Sequence, residues 1–112
     1  MREGDVVLTP LPQADGRIKN RPAILLRTMP PYNDALLCGV STQLQQQVPH
    51  FDELITVQDD DFATSGLVAD SLIRLGFLAV VPQTHIIGTI GAVSGARHHR
   101  LLTVLSRYPA PK

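Results

Sequence analysis

Tryptophan is absent from this chain, and aromatic residues make up only 4% of it. The core is therefore expected to be aliphatic. Cys38 is the only cysteine, which excludes an internal disulfide and leaves no second thiol for a zinc cluster, as befits a reducing compartment. No apolar run approaches the roughly 20 residues of a membrane helix. The first residues, Met-Arg-Glu-Gly-Asp, carry no apolar signal region. These absences predict a soluble cytoplasmic protein that contacts no membrane. Formal net charge is also lacking, since ten basic residues balance ten acidic ones. The charges are nevertheless segregated. Arg17, Lys19, Arg21 and Arg27 lie in an acid-free stretch, Asp52, Glu53, Asp59, Asp60 and Asp61 form an acidic one, and the tail from Arg97 on is basic. A local basic patch is enough to attract a polyanion, although such runs are commonly just solvated faces. The three consecutive aspartates cannot all converge on one ion, and no calcium-loop spacing follows. No metal site is expected.

What remains is a chain of 112 residues, 44% hydrophobic, long enough to bury a core as one domain spanning 1–112. Short apolar runs alternate with turn residues. Val6–Leu11 reads as a strand, followed by a polar loop over 12–20 around Ala14-Asp15-Gly16. Ala23–Leu26 is continuously apolar, as in a strand buried on both faces, and Pro30-Pro31 stops it. Ala35–Ser41 reads as the return strand, with Gly39 marking a bulge or close backbone approach. A polar loop over 42–52 follows. Glu53–Val57, Leu67–Leu75 (interrupted at Asp70-Ser71), Phe77–Val81 and Ile86–Gly91 are further strand-like runs, with a turn or single helical turn over 59–66. Ser94 can cap a helix running to about Arg107. Leu101, Leu102, Leu105 and Tyr108 share one face of it, and Pro109 would end it. The pattern predicts a mainly β fold: a small, strongly bent sheet or partly closed barrel with short helices and a C-terminal amphipathic helix.

The stretch from Asn20 to Gln43 carries the chemistry. If its two apolar runs pair antiparallel, their far ends meet, bringing Arg21 beside the Ser41-Thr42 pair. A guanidinium next to a hydroxyl suits a phosphate oxyanion, because arginine offers a planar fork of donors and keeps its charge.

Gly4-Asp5-Val6-Val7, Arg21-Pro22-Ala23, Gly39-Val40-Ser41-Thr42-Gln43, Asp70-Ser71 and Ile87-Gly88-Thr89-Ile90, in this order and ahead of an amphipathic helix, resemble the MazF/PemK (Kid) family of toxin endoribonucleases. The resemblance covers nearly the whole chain. It implies an SH3-like β-barrel, a homodimer, metal-independent cleavage of single-stranded RNA at short sequences without a cofactor, and a cognate antitoxin whose extended segment covers the active site. It maps the essential arginine and hydroxyl onto Arg21 and Ser41. Asp70 matches an aspartate that some members use with an arginine two residues earlier, where this chain has Val68.

In such cleavage the RNA 2′-OH attacks the adjacent phosphorus, leaving a 2′,3′-cyclic phosphate and a 5′-OH end. Arg21, Ser41 and Asp70 are the expected catalytic residues, with Asp70 and His50 as alternatives for the base. Arg17, Lys19, Asn20, Thr42, Gln43 and His50 are expected to contact RNA. Aromatic rings for stacking bases are few: Tyr32, Phe51, Phe62, Phe77 and Tyr108. A CcdB-like gyrase poison is the competing possibility, but such proteins act through a tryptophan-containing C-terminal end, which this chain lacks. A degenerate, non-cutting binder of RNA or antitoxin is the third.

Overall fold

Alternating and doubly apolar runs resolve, in a computed structural model describing residues 1–13 and 15–108, into six strands and two helices. The strands are β1 (Asp5–Pro12), β2 (Ile18–Met29), β3 (Asp34–Ser41), β4 (Glu53–Ile55), β5 (Ser71–Val81) and β6 (Gly88–Ala92). The helices are α1 (Phe62–Ser65) and α2 (Gly95–Arg107), and single 3-10 turns occupy Leu44–Gln46 and Gln83–His85. All strands join one antiparallel sheet in the order β4-β5-β3-β2-β1-β6, curled into a half-barrel. The mainly β fold with a C-terminal helix is as the sequence predicts. No helix among the described residues is long and apolar enough to cross a membrane.

The curl gives the sheet two buried faces. Val6, Ile24, Leu26, Cys38, Val40, Ile73 and Leu75 pack on one side with Ile55, Val93 and Leu101 of α2. Val7, Leu11, Ala23, Leu25, Ala35 and Leu37 pack on the other, with Phe77, Ala79, Val81 and Ile86 against them. Successive strand residues point to opposite faces, so Ala23 through Leu26 must all be apolar. Truncating Ile24 or Leu26 to alanine would cost about 2–5 kcal/mol.

Several boundaries differ from the sequence reading. The β1–β2 hairpin pairs out to Pro12 and Ile18, so Lys19 and Asn20 are strand residues and not part of a loop. Asp15 accepts from the Arg17 amide at 2.9 Å, and Gly16 takes a φ of 82°. β4 stops at Ile55 because Asp59 accepts from the Thr56 amide at 2.8 Å and closes a turn. Residues 67–70 form a loop, not a strand; the runs at 71–75 and 77–81 are instead one strand passing through Gly76. Gly66 (φ 76°) ends α1, and a side chain there would run into the carbonyl of Ile90. The last strand starts at Gly88, since Ile86 follows a 3-10 turn and packs into the second core.

α2 begins as expected: the Ser94 hydroxyl accepts from the Arg97 amide at 3.1 Å. Leu101 is buried, and Leu102 and Leu105 are partly so. Tyr108 is exposed, with its ring 4.7 Å from that of Phe51. The expected terminator, Pro109, lies outside the described residues.

One element of the packing was not anticipated. Arg97, only 6% exposed, donates through Nε to Asp61 at 2.8 Å and through Nη1 to Glu53 at 2.9 Å, and Nη2 lies 3.2 Å from Asp59. Arg100 reaches the same Glu53. The acidic stretch and the basic tail therefore neutralise each other instead of forming separate patches. Burial alone would raise the Asp61 carboxyl, but the Arg97 guanidinium and the Ser94 amide outweigh it and hold it below the usual carboxylate range. Burial would lower Arg97, but Asp61, with Glu53 and Asp59, keeps it above the usual arginine range.

A carboxylate depressed in the folded state stabilises the protein above its unfolded pKa of about 4 and loses that contribution as pH falls through the folded value. Asp61→Asn is therefore expected to cost about 3 kcal/mol at pH 7, with the gap to wild type closing at acid pH. Urea melts at pH 7 and pH 3 measure both; an equal deficit at the two pH values would refute the assignment.

Candidate functional site

The site is built where β2, β3 and β5 lie side by side. Gly39 pairs with Ala23 on one side and Arg74 on the other. Directly opposed residues share a face, as do residues two apart along a strand. Arg21 precedes Ala23 by two residues and Ser41 follows Gly39 by two. Arg21, Ser41 and Arg74 are thus delivered to one face, and all three line a single cavity of about 530 Å³. That volume lies within the range of small-ligand sites.

Leu11, Pro12, Pro22, Val40 and Phe77 form the cavity's apolar walls, and Gln13, Gln43 and Gln46 bring amides to it. Arg21 and Arg74 are half-buried, and among the described residues neither makes an ion pair or a hydrogen bond. Two like charges left without counter-charges at one cavity are suited to an anion. The Ser41 hydroxyl oxygen accepts from the Gln43 amide at 3.0 Å, a local turn typical of serine. With that lone pair engaged, the O–H remains a donor.

The other expected residues are distributed as follows. Gln43 lines the cavity. Lys19 pairs with Leu11, a lining residue, so it stands on the same face at the rim. Asn20 pairs with Pro10 and so faces the opposite side. Arg17 is exposed at the hairpin tip, 3.8 Å from Asp15. Thr42 is exposed, and His50 is exposed in the turn before β4 with a φ of 64°; neither lines the cavity. Asp70 also stands apart from it. It sits in the loop ahead of β5, where its carboxylate accepts from the Val57 amide at 2.8 Å. It forms no ion pair with Arg21 among the described residues.

Arg74 is the residue the sequence reading passed over. Its signal was a charge at an alternate position of an otherwise apolar run, Leu72-Ile73-Arg74-Leu75. A cation there must face either solvent or a cavity, and the pairing with Gly39 decides which. The aspartates considered for a metal are engaged otherwise, Asp59 and Asp61 on Arg97. Among the described residues no three His, Cys, Asp or Glu side chains cluster as a metal site requires. Cys38 lies in the core, where burial pushes its thiol up to about 12, far from a nucleophile's range.

A scan against protein-family models gives no match for this chain, and no curated protein matches it.

Proposed function

We propose that the protein is a metal-independent endoribonuclease that cleaves single-stranded RNA, the toxin half of a toxin–antitoxin pair acting in the cytoplasm. The observation carrying this reading is the pair of unpartnered guanidiniums beside a donor hydroxyl in one nucleotide-sized cavity. The MazF/PemK resemblance of the Arg21-Pro22-Ala23 and Gly39–Gln43 segments points the same way. In this reading Arg21 and Arg74 hold the phosphoryl oxygens as the 2′-OH attacks phosphorus and the 5′-oxygen leaves. Ser41 donates to one of those oxygens. Charge that develops in the transition state meets donors already in place, the arrangement that contributes most in acyl and phosphoryl chemistry. Asp70 acts indirectly, by anchoring the loop before β5 to Val57. The antitoxin supplies an extended segment that covers the cavity.

The homodimer in this reading forms through a strand edge. The outer edge of β6 is covered by α1, where the Thr64 hydroxyl donates to the Ala92 carbonyl at 3.3 Å. The outer edge of β5 pairs with β4 only over Ser71–Ile73. From Gly76 to Val81 it has no strand partner among the described residues and carries no charge, while Leu78 is 44% and Val80 57% exposed. Natural proteins cover or charge such an edge, and a second copy of the same uncharged strand pairs with it isologously.

Two outcomes follow. In EDTA the protein is expected to cleave single-stranded RNA, leaving a cyclic phosphate and a 5′-OH. Arg21→Ala, Arg74→Ala and Ser41→Ala should each lose about 10²–10³-fold in kcat, while His50→Ala stays within a few fold. Cleavage that requires added metal, or that survives Arg21→Ala, sinks the reading. Separately, sedimentation equilibrium should find a dimer that Leu78→Lys with Val80→Lys converts to monomer. A dimer indifferent to both lysines would place the interface elsewhere.

A further inference from the structure

We propose that Phe77 is a stacking platform for one unpaired nucleobase, held in place by Gly39, so that the cavity takes a nucleotide with its base on Phe77 and its phosphate on Arg21 and Arg74. This rests on the ribonuclease reading only for the placement of the phosphate.

Among the described residues, Phe77 is the only aromatic one lining the cavity. It belongs to the irregular part of β5. The β3–β5 ladder passes from the Cys38–Leu78 pair directly to Gly39–Arg74, leaving Leu75, Gly76 and Phe77 without opposite numbers on β3. A bulge of this kind re-aims side chains, and it brings Phe77 over Gly39. A Cβ on Gly39 would lie 3.1 Å from Cδ1 and 3.3 Å from Cγ of the ring. The ring thus fills the space a side chain at position 39 would need, resting on bare backbone. Its remaining surface bounds the cavity, within the same enclosure as the two arginines.

An apolar, aromatic wall beside two cations complements a molecule that is flat and apolar at one end and anionic at the other. A nucleotide in a single strand has that form. In a duplex the base is already stacked and paired, and it reaches no side wall without leaving the helix. The rim supplies edge contacts. Gln43 accepts through Oε1 from Gln45 at 2.8 Å, so its amino group is left to donate toward a base carbonyl. Phe77 therefore acts in substrate choice, separately from the groups that stabilise the transition state.

The test uses single-stranded oligodeoxynucleotides containing 2-aminopurine, which lack the 2′-OH and so report binding apart from cleavage. Wild type is expected to bind them and quench the fluorescence. Phe77→Leu should lose about tenfold in affinity together with the quenching, within the range measured for base–aromatic stacking, whereas Phe77→Tyr retains both. An oligonucleotide abasic at the reporter position should bind wild type as weakly as the intact one binds Phe77→Leu. Gly39→Ala, whose methyl competes with the ring, should lose the quenching while its thermal melt still shows a folded protein. The proposal is overturned if wild type does not quench, if Phe77→Leu binds as well as wild type, or if Phe77→Tyr is as weak as Phe77→Leu. Quenching without any cleavage of RNA would remove the ribonuclease reading and leave the platform standing. Cleavage unaltered in Phe77→Leu would do the reverse.

Discussion

Gly39 sits between two neighbours in register, and the cavity follows from that single constraint. Antiparallel pairing makes opposed residues share a face, so fixing Gly39 against Ala23 and Arg74 also fixes where Arg21 and Ser41 point. A slip of one residue on either ladder would send one of these groups through the sheet to the core packed under α2. Packing opposes that slip. Ala23, Leu25, Ala35 and Leu37 belong to one core and Ile24, Leu26, Cys38 and Val40 to the other, and exchanging the two sets would put side chains of the wrong volume into each. The geometry of the cavity thus depends on apolar residues most of which do not line it.

How much of this the sequence discloses depends on whether a feature is local. The apolar run Ala23–Leu26, the Pro30-Pro31 stop and the Ser94 cap each follow from the preferences of a few adjacent residues, and they are found where expected. Arg21 and Ser41 could be brought together on paper because a hairpin with a short turn leaves only one sensible pairing. Arg74 could not, because its partner strand lies more than thirty residues away in sequence and the ladder between them is irregular. The loop holding Asp70 reads as strand in the sequence for a related reason. The neighbours of Asp70 look strand-like, but its carboxylate finds the Val57 amide, and a local bond of that kind competes with extended pairing. Arg97 was read as part of a basic tail because nothing near it in sequence shows that Glu53, Asp59 and Asp61 fold back onto it.

The arginines illustrate two uses of one side chain. Arg97 is sequestered, and a charge taken out of water must be matched on several sides at once; three carboxylates and the Leu54 carbonyl do so. Its role is to fasten α2 to the β4 edge. Arg21 and Arg74 are only half-buried. They retain enough hydration to persist without acids nearby, and their charge stays available to a ligand. A carboxylate paired with either would stabilise the free protein while competing with any anion that enters. In a chain whose formal charge is zero, the acids are placed away from this cavity, none of them lining it.

That placement also constrains the chemistry. The lining residues comprise two guanidiniums, a hydroxyl, three amides and apolar walls, with no carboxylate and no imidazole. Arginine is a poor base, since its pKa exceeds about 12. The Ser41 hydroxyl already accepts one hydrogen bond and is set to donate. The guanidiniums and the hydroxyl favour accumulated negative charge, and none of the lining groups is suited to removing a proton at neutral pH. On the proposed ribonuclease reading, a site so composed would lower the barrier by stabilising a dianionic phosphorane, and the same donors would make the attacking 2′-OH more acidic. The proton would then pass to water, with no titrating side chain of the cavity involved. Preorganised donors would suffice on that reading because the substrate supplies its own nucleophile, which only RNA among nucleic acids can do.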